Sequence, residues 1–211
     1  MEQTAEWKRL TERYGRDYGW LEKAMQLYPC CTAQDGQRAV VSFPPGEVSP
    51  EDGLAENPSA ENPLAGGDFG VPYGMPPGLH YCFLLEGPSQ TVSPGQEERA
   101  RWAALLAETE VRAADARPAE RLCCIPVKSG RPALGWQLGF SLLAIRPLAL
   151  LRPFYLFGKT RPIRPEACRT VPLADTRRLG RLLEDGWLGV GCDGTGTQVT
   201  LRRPQDGVRI V

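Results

Sequence analysis

Between Pro44 and Leu79, fifteen of thirty-six positions are proline or glycine (eight Pro, seven Gly), and none is Lys or Arg. Proline lacks an amide donor and glycine gives up the most backbone entropy on ordering. Neither a helix nor a sheet strand of ordinary length can therefore run through this stretch. The fold has to be assembled from the segments on either side, with 44–79 as a long irregular acidic arm. A tandem pentapeptide inside it, Ala55–Ser59 followed by Ala60–Leu64, is too short for a repeat array. Phe69, Tyr73 and Met75 are apolar enough to pin the arm against the domain or a partner, and they are candidate binding residues.

Charge is sorted along the chain. Ala39–Glu98 contains no base and nine acids, whereas Arg121–Pro165 contains eight bases and no acid. Residues 1–100 sum to −8 (7 basic, 15 acidic) and residues 101–211 to +8 (18 basic, 10 acidic), although the whole chain is formally neutral. Asymmetry of this kind points to a charged partner, or to one half docking on the other. At 211 residues the chain can bury a sizeable core. No basic start followed by an apolar run reads as a secretion signal, and Arg146 and Arg152 interrupt the most apolar stretch, Leu134–Phe157. The seven cysteines are expected as reduced thiols in a cytoplasmic protein without membrane contact. The preference for Arg over Lys suggests a GC-rich bacterial genome.

Periodicity gives the elements. Trp7, Leu10, Tyr14, Tyr18, Leu21 and Met25 form one stripe of a helix over 5–28 that Pro29 ends. Strands are expected at Ala39–Phe43, His80–Leu85, Leu122–Val127 and Trp136–Ile145. Ser93, Pro94 and Gln96 signal the start of a helix running to Arg112. Pro147 and Pro153 mark 146–157 as an edge strand or a broken helix. Asp175 caps a helix that Gly186 stops. A terminal meander follows, with strands at Trp187–Gly191, Gln198–Arg203 and Val208–Val211 joined by Asp-Gly turns. Without regular βαβ spacing, the class is α+β: one domain over 1–211, a mixed or antiparallel sheet, about three helices and a C-terminal meander.

No motif names a reaction. Gly189–Gly194 fits G-x-G-x-x-G, but a strand pattern follows where a dinucleotide site needs a helix, so it reads as a hairpin turn. His80 is the only histidine; alternation puts it on one face with Cys82, which leaves a thiol or zinc enzyme as a third reading. The chain has no C-x-x-C pair, and no catalytic residue, metal ligand or cofactor is assigned. Arginine is the more telling residue, because its rigid fork suits carboxylate and phosphate alike. Arg131, Arg146, Arg152, Arg161 and Arg164 each precede a proline. Arg177, Arg178 and Arg181 follow on the last helix, then Arg202 and Arg209 on the meander. The first expectation is a non-catalytic interaction or assembly subunit that binds a protein partner through the acidic arm and this arginine-rich face. The alternative is a nucleic-acid-binding accessory protein in which Trp136, Phe140, Phe154, Tyr155 and Phe157 stack on bases.

Overall fold

The computed structural model describes residues 21, 24–25, 28–35, 38–43, 79–86, 95–112, 121–128, 131–148, 152–162 and 164–205. The arm with Phe69, Tyr73 and Met75, the strand expected at Val208–Val211, Arg209 and most of the first helix lie outside the described residues. Of that helix, Leu21, Ala24 and Met25 are described, and all three are buried.

The described residues form a mixed sheet of nine strands and include three whole helices, broadly α+β and rich in strand. The strands are β1 (Cys31–Gln34), β2 (Arg38–Phe43), β3 (His80–Glu86), β4 (Arg121–Pro126), β5 (Ser141–Leu148), β6 (Arg152–Gly158), β7 (Pro165–Pro172), β8 (Leu188–Cys192) and β9 (Gln198–Pro204). The helices are α1 (Gln96–Arg112), α2 (Ala133–Gln137) and α3 (Thr176–Glu184). The sheet order is β1-β2-β3-β4-β6-β5-β8-β9-β7, and only the β3–β4 pair is parallel. That parallel pair needs a crossover, which α1 supplies.

Strands β2, β3 and β4 are buried on both faces, which is why they read as continuous apolar runs. On one face Ala39, Val41, Phe43, Phe83 and Phe154 pack with Leu21 and Met25. The Phe43–Phe83 and Phe83–Phe154 rings meet edge to face at 6.0 and 5.6 Å. On the other face Val40, Leu84, Cys123, Ile125 and Phe157 pack beneath Trp102, Leu105 and Leu106 of α1, and the layer continues through Leu134, Leu179, Leu183 and Trp187.

Three expectations change. Trp136–Ile145 is not one strand: α2 and a turn precede β5, because Gly135 lies flat on the Phe157 ring, where a Cβ would come within 2.5 Å of it. Residues 146–157 do not form an edge. They end β5 and make the interior strand β6, and the prolines are tolerated because Pro147 and Pro153 face each other near the end of the ladder. The β8–β9 turn is not a two-residue Asp-Gly hairpin but spans 193–197, and its positive φ falls on Gly196 (70°), not Gly194. The cap of α3 is as expected: the Asp175 carboxylate accepts from the Arg178 amide, and Gly186 ends the helix at φ 86°.

Two parts of the sheet meet at one point. β5 and β8 pair only through Leu142 and Gly189. A Cβ on Gly189 would lie 2.8 Å from the Leu142 Cβ and 3.3 Å from Val199 Cγ1. Trp136 of α2 donates its indole N–H to the Gly189 carbonyl at 2.8 Å. Gly189→Ala should therefore lower stability by about 2 kcal/mol, since neighbours on both sides must move. Gly180→Ala, within α3 and with open space around its Cβ, should raise it by about 0.5–1 kcal/mol through helix propensity. Urea unfolding of both variants checks the pair.

Candidate functional site: an arginine face on the last three strands

The arginines divide into two populations. In the β1–β6 part five of the seven arginines whose side chains are described are paired with carboxylates, Arg99 and Arg146 being the exceptions. Arg38 bonds Asp35 at 3.0 Å and lies 3.5 Å from Glu98, and Arg131 grips the same Glu98 carboxylate from the loop before α2. Arg101 pairs with Glu97, Arg112 with Glu108 and Arg121 with Glu110. Side chains of the Arg38–Glu98–Arg131 group are only 11–14% exposed. The cluster thus joins the β1–β2 hairpin, the start of α1 and the approach to α2 as an internal contact. Arg131 is drawn into this cluster and away from the open surface.

From Arg161 onward the pattern reverses. Arg161, Arg164 and Arg169 are exposed, as are Arg177, Arg178 and Arg181 on α3 and Arg202 and Arg203 on β9. Among the described residues, none of these forms an ion pair. Two of the carboxylates here, Asp175 and Asp193, serve the backbone instead, while Glu166, Glu184 and Asp185 are exposed. Asp175 caps α3. Asp193 accepts from the Thr197 and Gln198 amides and from the Thr195 hydroxyl, and these bonds hold its carboxyl down at about pKa 2. Arg169 lies flat against Trp187, with its guanidinium carbon 5.0 Å from the ring centre. Arg177, Arg178 and Arg181 border an open depression on α3 together with Asp175, Leu182 and Asp185.

Of the expected residues, Arg161 and Arg164 lie just before β7, Arg177, Arg178 and Arg181 lie on α3, and Arg202 lies on β9, on the side of the sheet away from Leu201 and α3; Arg146 is exposed on β5. The Arg152 backbone opens β6, and its side chain is outside the described residues. Sequence reading missed Arg169 as a site residue because it missed β7, whereas Arg203 falls on the strand expected at Gln198–Arg203. The signal was faint: β7 is exposed on both faces except at Val171, so it carries no apolar alternation. Four of the five rings offered for stacking are core, and Trp136 is half-buried against Gly189 and Phe157. Phe140, Phe154, Tyr155 and Phe157 are at most 7% exposed.

The second candidate centre is a buried polar row beneath α1. Ser42, Cys82 and Cys123 stand side by side on β2, β3 and β4. His80 Nε2 is hydrogen-bonded to the Ser42 hydroxyl, and the Cys82 thiol points at the same oxygen from 3.8 Å. A serine on an imidazole is the arrangement that activates a nucleophile. Ser42 and Cys82 are both fully buried, however, so a substrate cannot reach either in this structure. Burial pushes the Cys82 thiol up to about 11, and burial with the neighbouring Arg121 charge holds His80 down at about 4. Among the described residues no group of three or more His, Cys, Asp or Glu is arranged to hold a metal ion.

Comparison with known proteins gives no match to any family model, curated protein or solved structure. Among the described residues no helix is long and apolar enough to cross a membrane.

His80 fixes a pH dependence. The unfolded chain takes up its proton near pH 6.5 and the folded one near 4. The neutral imidazole is the folded form, so its contribution is complete above about pH 6.5 and is lost as the pH falls toward 4. His80→Gln should remove about 2 kcal/mol of the acid-induced loss between those limits. Urea midpoints of both proteins across that range give the difference directly, because carboxylate titration is common to both.

Proposed function

We propose that this chain is an interaction module whose arginine face on β7, α3 and β9 takes an acidic segment of a protein partner. One observation carries the reading. Exposed arginines gather where Asp175 and Asp193 are bound to backbone amides, while five of the seven arginines whose side chains are described in the β1–β6 part are matched by ion pairs. A planar guanidinium accepts a carboxylate in two parallel hydrogen bonds, and a row of them adds steering to contact. The buried Ser42–His80 pair speaks for a structural role at the third candidate centre, since its reactive oxygen is 0% exposed. A nucleic-acid role would use the same arginines on phosphates. It would do so without stacking rings: the aromatic at the face, Trp187, is 5% exposed and covered by Arg169.

Fluorescence anisotropy with a labelled oligoglutamate peptide and a labelled single-stranded oligonucleotide, read at low and physiological salt, tests this. The peptide should bind, and Arg202→Glu with Arg203→Glu should weaken it at least about tenfold. Arg101→Glu on α1 should leave affinity within about twofold, because exposed ion pairs contribute little. Preference for the oligonucleotide, with a salt slope that falls by about one unit per arginine removed, would replace the protein partner with nucleic acid.

A further inference from the structure

The face ends in an open sheet edge. β7 is the last strand of the sheet and pairs only with β9, from Pro165↔Pro204 to Pro172↔Gln198. Just past that ladder the Leu173 amide bonds the Thr197 carbonyl at 2.8 Å. In an antiparallel pair the bonded positions alternate, so Val171, Arg169 and Ala167 turn their backbone groups toward β9. Cys168 and Thr170 then turn their N–H and C=O groups outward, to the side where no described strand lies. The opposite edge is handled differently: β1 is four residues long, and the Arg112 guanidinium from α1 bonds the Thr32 carbonyl. Proteins normally blunt long sheet edges, because unpaired amides and carbonyls recruit other strands. β7 runs for eight residues with no such cover among the described residues.

We infer that this edge is where the partner binds: an extended acidic segment adds to β7 as a tenth strand, with its carboxylates on the flanking arginines. The inference rests on the reading of the face as a protein-binding surface and specifies how the partner is held. Charge selects the occupant. Arg169 projects from one side of β7, and Arg202, paired with Cys168, lies on the other. A strand added about 4.8 Å away would place alternate side chains within reach of both. A second copy of this chain docked antiparallel with Cys168 opposite Thr170 would instead set Arg169 against Arg169. Strand addition draws affinity from main-chain bonds, and alternate side chains supply selectivity.

The test uses two labelled peptides of alternating Glu and Val, one unmodified and one N-methylated along a single edge, so that charge is equal and strand pairing is blocked in only one. The unmodified peptide should bind at least about tenfold more tightly and should slow amide exchange at Cys168 and Thr170. Thr170→Pro removes an outward donor and no β9 bond, so it should fold normally and lower binding of the unmodified peptide to the level of the methylated one. If that variant does not fold, the two peptides on the unaltered chain still decide the matter. Equal binding of both peptides without protection at Cys168 and Thr170 overturns strand addition and leaves the arginine face standing. Failure of both peptides to bind at low salt overturns the arginine reading with it. A dimer seen by light scattering that Thr170→Pro dissolves gives the edge to a second copy and overturns the acidic occupant.

Discussion

The structure depends on the contact between Leu142 and Gly189. One residue pair joins the ladder β1–β6 to the three strands that carry the arginines. The approach requires a residue without a Cβ, since any side chain at 189 would meet Leu142 and Val199. Trp136 locks the join from above: its N–H holds the Gly189 carbonyl while its ring stands edge-on to Phe157 at 5.2 Å. Trp136 is half-buried, and its donor is spent on the junction. β8, β9 and β7 are thereby held as an extension of the main sheet, and α3 packs over the same core layer as α1.

Charge follows the same division. On the β1–β6 side, acids and arginines are near one another in space and cancel, most deeply in the Asp35–Arg38–Glu98–Arg131 group. Such a group is costly to break and contributes little net stability when intact, so its main effect is to fix how hairpin, helix and loop meet. Beyond the junction Asp175 and Asp193 act on backbone amides, where they shape a helix start and a turn. They do not neutralise the arginines around them, and the chain carries a strongly basic surface while its formal net charge is zero.

Much of the interior was legible in the sequence. Double-sided burial makes β2, β3 and β4 read as apolar runs, and α3 announces itself through Asp175, Leu179, Leu183 and Gly186. What was missed has physical causes. A single turn such as α2 is too short to show a period, so Trp136 looked like the start of a strand. Proline suggested an edge at Pro147 and Pro153, but two prolines facing each other do not deprive an interior ladder. β7 was invisible because an edge strand wet on both faces has no alternation to read. The arginine candidates were found by type alone. Type could not separate Arg131, which Glu98 holds, from Arg164 or Arg202, which stay in solvent, because that depends on which carboxylates the fold brings near.

The most direct measurement is the rate at which each arginine reacts with a dicarbonyl reagent, mapped by mass spectrometry with and without an oligoglutamate peptide. The account predicts fast reaction at Arg169, Arg202 and Arg203, slow reaction at Arg38 and Arg131, and protection by the peptide confined to the first group. Uniform rates across both groups, or protection at Arg101 and Arg112 as strong as at Arg202, would contradict it.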